Sequence, residues 1–186
     1  MPELLVQPAF AALTPVPSAG PGITVRLIAP AMVSVLARKN RAPELRQAVR
    51  GYLNLDLPDG PGCVRVGKRT VLGVGPGRWL LLGVPMEALA PLRGMASLSD
   101  QGDGYALFEL WGPQLQAVLA KGVPLDMRNF SGDDAAVTVI AHIGAIIWKS
   151  TPERVAIAVF RSYAGSFWHW LSASAAEFGL SLEQSE

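Results

Sequence analysis

The sequence is poor in the residues that build most metal sites and many catalytic sites. Its 186 residues include one cysteine, Cys63, and two histidines, His142 and His169. A single cysteine excludes a disulfide within the chain and a cysteine-based metal cluster. Two histidines leave no familiar histidine-rich zinc set. These counts therefore argue against a disulfide framework and against the common zinc sites.

Charge is scarce and balanced. Sixteen lysines and arginines face fifteen acidic residues, and charged residues make up 17% of the chain, where about 25% is usual. Since neither sign dominates, we predict no nucleic-acid partner. Hydrophobic residues reach 50%, which indicates either a generous core or apolar surface reserved for another chain. The isolated chain is accordingly a candidate for self-association.

Signals for export and for membrane insertion are weak. The first basic residue is Arg26, so the N-terminus lacks the basic region that begins a signal peptide. The longest apolar stretch, residues 135–148, is interrupted by polar residues and glycine, and it is shorter than the ~20 residues of a membrane span. We therefore predict a soluble cytoplasmic protein that does not enter a membrane.

The N-terminal segment, residues 1–22, differs from the rest of the chain. It contains five prolines, a density that prevents a regular helix. Two interpretations are open: a floppy arm, or an extended arm that wraps a partner through apolar residues such as Phe10. Residues 23–186 are predicted to form a single domain of two similar-looking halves, about 23–98 and 99–182.

Strand and helix patterns alternate after residue 22. The sequence predicts strands over 23–29, 70–74, 78–84, 105–111, 136–141, 145–149 and 155–160, and helices over 30–37, 43–53, 85–92, 113–121 and 163–178. We also expect Gly122 to take the left-handed helix cap and Gly144 to hinge two strands. Paired strands separated by helices favour an α+β fold, with helices packed on one side of mainly antiparallel sheet.

Two apparent motifs do not point to chemistry. Residues 62–68 spell G-x-x-x-x-G-K, but Arg69 replaces the Ser or Thr of a phosphate-binding loop, and a strand follows where that loop needs a helix. Asp100 and Asp103 flank a glycine turn, where aspartates usually cap their own backbone. Cys63 lacks a nearby histidine in the sequence and is interpreted as a simple thiol.

The most distinctive segment is the aromatic run at residues 161–171, RSYAGSFWHWL. On the predicted helix, Trp168 and Trp170 lie on opposite margins of the apolar stripe and His169 points away from it. Either both indoles shield the edge of the core, or they form an aromatic contact with another subunit. The candidate subunit interface comprises Trp168, Trp170, His169 and Phe10.

Three ordered segments resemble the gamma subunit family of heterotetrameric sarcosine oxidase. They are GPGRWLLLG at 75–83, SLSDQGDGYALFELWGPQLQAVLAKGVPLD at 97–126, and RSYAGSFWHWLSASAAEFG at 161–179. The resemblance implies a place beside alpha, beta and delta subunits in a flavoenzyme that oxidatively demethylates sarcosine to glycine. It also implies FAD, FMN and NAD in the larger subunits, and tetrahydrofolate as the one-carbon acceptor.

The same resemblance carries expectations about fold and about site residues. The fold should resemble the folate-binding domain of aminomethyltransferases such as the glycine-cleavage T protein, which agrees with the α+β pattern. No folate-site motif aligns with residues here, so we assign no catalytic, cofactor-binding or metal-binding residue and expect a non-catalytic subunit. The alternative is a free-standing folate-binding protein or one-carbon transferase, with Asp100 or Asp103 near the pterin or amine.

Overall fold

The first layer of the fold is a six-stranded sheet in a computed structural model that describes residues 22–183. Its strands are β1 (Ile23–Ile28), β7 (Tyr105–Trp111), β8 (Ala135–Ile140), β9 (Ile143–Thr151), β10 (Arg154–Phe160) and β11 (Leu180–Glu183). Their spatial order is β11-β1-β7-β10-β9-β8. Neighbours are antiparallel except β1 and β11, which run parallel.

The second layer is a five-stranded antiparallel sheet. It contains β2 (Met32–Ala37), β3 (Gly62–Val66), β4 (Arg69–Gly75), β5 (Arg78–Leu82) and β6 (Ala96–Asp100). Their spatial order is β3-β4-β5-β2-β6. The two sheets thus repeat one arrangement, in which β2, β3, β4 and β5 correspond to β7, β8, β9 and β10. Strand β1, from the predicted first half, pairs within the sheet of the second half.

Helices cover the outer face of each sheet. The helices are α1 (Ala42–Leu53), α2 (Leu115–Leu119) and α3 (Ala164–Ala175), with 3-10 turns at Met86–Leu92 and Arg161–Tyr163. One core lies between the six-stranded sheet and α2 and α3, and another between the five-stranded sheet, α1 and the first 3-10 turn. A third core, made of strand residues, joins the two sheets. The predicted α+β class is confirmed, with helices on one side of each antiparallel sheet.

Residues 30–37 correct one helix prediction. They contain β2, an interior strand that lies between β5 and the edge strand β6. Val33 and Val35 face the core under α1, whereas Met32 faces the core between the sheets. The strand carries apolar residues on both faces, although Leu36 is 43% exposed, and periodicity alone does not distinguish so short an apolar run from a helix. The β-branched valines at alternate positions favour the strand.

Two glycines have roles other than those predicted. Gly122 is not among the glycines with positive φ, so it is not a left-handed cap. A Cβ atom at Gly122 would lie 2.6 Å from the indole of Trp170, which means that glycine leaves room for that ring. Gly144 lies within β9. The turn of the β8–β9 hairpin is instead formed by Ala141 and His142, with φ of 47° and 70°.

Three short strands were not predicted. Residues 62–66 form β3, which confirms that the glycine-rich stretch there is not a phosphate loop opening a helix. Strand β6 has a turn-like composition, and β11 begins only a short turn, residues 176–179, after the end of α3, so neither has a clear strand pattern of its own. Both are held by partners distant in sequence: β6 pairs with β2 and β11 with β1. The predicted helix over 163–178 is correspondingly shorter, because α3 ends at Ala175.

Candidate functional site

The most concentrated polar chemistry in residues 22–183 surrounds Glu109 on β7. This side chain is the buried charged group of that range, at 6% exposure. Its Oε2 accepts hydrogen bonds from Arg26 at 2.5 Å and from Arg154 at 3.1 Å, and its Oε1 accepts one from the Ser150 hydroxyl at 2.5 Å. Arg26 is directly opposite Glu109 in the β1–β7 register. We call these four residues the Glu109 cluster.

The electrostatics of the Glu109 cluster favour a structural role. Burial raises the pKa of Glu109, but the hydrogen bonds from Ser150, Arg26 and Arg154 outweigh it, so the pKa lies below its usual value. The Arg154 guanidinium also lies 4.1 Å from the centre of the Trp111 ring, within the range of a cation–π contact. An ionised carboxylate whose two oxygens both accept hydrogen bonds links the neighbouring strands, and its lowered pKa does not suit a general acid or base near neutral pH.

The other acidic candidates, Asp100 and Asp103, have partners within this chain. Asp100 accepts a hydrogen bond from the Gly102 backbone N–H at 2.8 Å, and Asp103 forms an ion pair with Arg161 at 3.2 Å. The prediction that Asp100 caps its own turn is therefore confirmed. The partners of these two carboxylates, the Gly102 N–H and Arg161, are not residues of the Glu109 cluster.

Cys63 and the histidines are placed apart. Cys63 is buried, and burial raises the pKa of its thiol, although the charge of Arg65 opposes this effect. His142 lies at the tip of the β8–β9 hairpin and His169 on α3. Between residues 22 and 183, no three His, Cys, Asp or Glu side chains come together as a metal site would require. Across the same residues, no helix has the length and apolarity to cross a membrane.

The predicted interface residues are distributed between core and surface. Trp168 is 7% exposed and belongs to the core beneath α3. Trp170 is half-buried, with its ring 5.6 Å from that of Phe167 and against Gly122. His169 is exposed, and Phe10 lies outside the described residues. Both indoles therefore shield this chain's own core, which leaves little surface of Trp168 for a partner.

Apolar surface is exposed at other positions, which the sequence reasoning did not single out. The large apolar side chains with more than 40% exposure are Leu36, Tyr52, Val137, Val139, Phe160 and Tyr163. Val137 and Val139 lie on the edge strand β8, in the uncharged stretch 135–148. That stretch carries the signal that could have located them: consecutive β-branched residues at 137–140 without a charge.

Comparison with known proteins first identifies the class of fold. The chain superposes on glycine cleavage system aminomethyltransferase T from Bartonella henselae with a TM-score of 0.60 and 16% identity, covering 88% of this chain and 47% of that one. This likeness confirms the aminomethyltransferase-like α+β fold. Within that class, residues 38–177 match the model of the sarcosine oxidase, gamma subunit family. The chain belongs to this family, as the three segments predicted.

Two relatives extend the match over most of the chain. Sarcosine oxidase subunit gamma from Corynebacterium sp. (strain U-96) is 28% identical over 141 residues, which cover 70% of this chain and 69% of that protein. The structure of heterotetrameric sarcosine oxidase from Corynebacterium sp. U-96, in complex with pyrrole 2-carboxylate, contains a similar chain. It superposes with a TM-score of 0.74 and 25% identity, covering 87% of this chain and 88% of that one.

Proposed function

We propose that this chain is the gamma subunit of a heterotetrameric sarcosine oxidase, assembled with alpha, beta and delta subunits. The complex would oxidatively demethylate sarcosine to glycine and pass the one-carbon unit to tetrahydrofolate. The observation that carries the proposal is the superposition on a chain of a heterotetrameric sarcosine oxidase over 88% of that chain. Family membership over residues 38–177 supports it independently of the fold.

The proposed role of this chain is structural. FAD, FMN and NAD would be held by the larger subunits. Both oxygens of the buried carboxylate Glu109 already accept hydrogen bonds within the chain, so this group is not free to hold a ligand. Cys63 is buried, and burial raises its thiol pKa, which disfavours the nucleophilic thiolate. We accordingly derive no reaction step through this chain.

The proposed subunit contact on α3 involves His169 and the outer margin of Trp170, supported by Trp168 beneath them, with Phe10 contributing from the N-terminal arm. Replacing the two tryptophans would damage the core as well as any contact, since Trp168 is 7% exposed. His169→Glu is the cleaner test, because His169 is exposed. Loss of assembly with an unchanged melting temperature would assign His169 to the interface. Retained assembly would show that His169 is not part of the interface.

The proposed function is tested by recovering the tagged chain from its native host and recording the visible spectrum of the eluate. We expect flavin absorption, three co-eluting proteins and sarcosine-dependent oxygen consumption. The matched control is the tagged Phe167→Asp variant, which places a charge at a fully buried core position and should recover no partner. A colourless single chain that binds tetrahydrofolate in a calorimetric titration would refute the subunit assignment.

A further inference from the structure

Within residues 22–183, four edge strands bound the two sheets, and one of them differs from the rest. The edges are β8 and β11 of the six-stranded sheet and β3 and β6 of the five-stranded sheet. Three of them contain a charged residue: Glu183 in β11, Arg65 in β3 and Asp100 in β6. Strand β8 reads AAVTVI and contains none. Charges on edge strands prevent edge-to-edge pairing in soluble proteins, so β8 lacks this common protection.

The hairpin geometry shows which backbone groups of β8 face outward. Ile140 and Ile143 flank the two-residue turn and pair across it, so they form a hydrogen-bonded pair. Hydrogen-bonded pairs alternate along an antiparallel ladder. Thr138 therefore bonds to β9, whereas the N–H and C=O groups of Val137 and Val139 point to the free edge. We call this outward side of β8 the β8 edge.

The side chains beside the β8 edge are apolar and accessible. Val137 is 59% exposed and Val139 is 52% exposed. Val139 pairs across the strand with Gly144, whose position has open space for a Cβ atom. Continuing the β9–β10 register by one residue places Phe160, itself 51% exposed, beyond Gly144. The edge thus adjoins an apolar row with a shallow gap at the glycine.

Contacts at both ends limit the length of the β8 edge. At one end the Cys63 N–H donates to the Asp133 carbonyl oxygen at 2.7 Å, and at the other the Ala141 N–H donates to the Gly122 carbonyl oxygen at 3.2 Å. Between these two contacts, no described residue forms a backbone hydrogen bond with the outward N–H and C=O groups of Val137 and Val139. The opening spans residues 135–139 and fits a strand of about five residues.

We propose that the β8 edge binds a short extended segment of another subunit of the oxidase, which adds a seventh strand to the sheet. This inference rests on the proposed function and deepens it by naming the surface and the chemistry of the partner. Outward N–H and C=O groups require an extended backbone as the occupant. The uncharged strand and the apolar row from Val139 to Phe160 require uncharged, alternately apolar side chains on that segment.

The test is hydrogen–deuterium exchange in the free chain and in the complex co-expressed with the other subunits. The peptide covering residues 135–140 should gain protection on assembly, because the outward N–H groups of Val137 and Val139 become hydrogen-bonded. Val139→Lys should weaken assembly by about tenfold or more, since it places a charge against an apolar segment. The matched control is Tyr52→Lys on α1, where Tyr52 is 58% exposed, and it should assemble normally.

Each other outcome overturns the proposal in a recognisable way. If the wild-type chain assembles but the 135–140 peptide stays unprotected, the β8 edge is not the contact while the subunit assignment survives. If the wild-type chain assembles with no other subunit, the proposed function fails and this inference fails with it. Protection in the free chain that rises with concentration would assign the edge to a second copy. Concentration-independent protection that disappears when residues 1–21 are deleted would assign it to this chain's own N-terminal segment.

Discussion

Replacing Glu109 by Gln tests the Glu109 cluster most directly, because it removes the charge and nearly preserves the side-chain volume. Arg26 and Arg154 would lose their shared carboxylate. Removing one member of a buried ion pair costs about 3–5 kcal/mol when the remaining charge stays buried. Here the arginine side chains are 35% and 32% exposed, so water replaces part of the lost interaction. We therefore expect the variant to lose about 2–3 kcal/mol of unfolding free energy.

That loss is measurable as a melting temperature. For a chain of this size, 1 kcal/mol corresponds to about 2–4 °C, so Glu109→Gln should melt about 4–12 °C below the wild type by circular dichroism at pH 7. The matched control is Glu44→Gln, which breaks the Arg41–Glu44 ion pair with side chains 49% and 51% exposed. Exposed pairs contribute about 0–1 kcal/mol. Equal melting temperatures for the two variants would refute the reasoning.

The same carboxylate predicts a dependence on pH. Since the folded protein holds the pKa of Glu109 below its usual value, its stabilisation is fully present above the unfolded pKa and is lost as pH falls through the folded value. The difference in unfolding free energy between wild type and Glu109→Gln should be constant from neutral pH to about pH 5 and then shrink on further acidification. Urea titrations of both proteins along this range measure it. A difference that grows toward acid pH would contradict the assigned shift.

Three further predictions concern the α3 side of the core and the thiol. Gly122→Ala should destabilise the chain by about 1–3 kcal/mol in urea unfolding. The loss should shrink when Trp170 is replaced by Leu, because the smaller side chain leaves room for the added methyl group; an undiminished loss would instead indicate that Gly122 is needed for its backbone conformation. Trp168→Ala should cost about 3–5 kcal/mol, whereas His169→Ala should leave the melting temperature within about 1 °C. Cys63 should react with a thiol reagent at pH 7 only after unfolding, since it is buried; rapid labelling of the folded chain would contradict its placement.

Local pattern was sufficient where a segment has a clear apolar or periodic signal of its own, bounded by turn residues. The hairpin of β4 and β5, with its turn at residues 75–77, and the apolar strand β7 were predicted within a few residues of their observed bounds. Helix α1 was also predicted, because its apolar positions recur at helical spacing. The same kind of local information, in three segments, was sufficient to predict the family.

Position in the fold decided the elements that local pattern assigned incorrectly or missed. The run at 32–37 is a strand because β5 and β6 lie on both sides of it. Its alternate valines are a weak local signal for a strand, and periodicity alone does not distinguish so short an apolar run from a helix. Gly122 is needed because Trp170, almost fifty residues later, packs on it. Glycine at the end of a helical pattern can either adopt the left-handed cap or leave space for a neighbouring side chain. Only the packing of the folded chain shows which of the two applies.

The sequence by itself determined the α+β class, the family and the impossibility of a disulfide between two of its own cysteines, because these depend on composition, periodicity and contiguous segments. Only the tertiary structure decided which groups meet. The Glu109 cluster joins residues 26, 109, 150 and 154, which the neighbouring strands β1, β7, β10 and β9 bring together. The β8 edge likewise exists because, among the strands of the described part of the chain, β8 pairs only with β9. Strand order and register arise from pairing between distant segments, and a pattern read along one segment does not contain them.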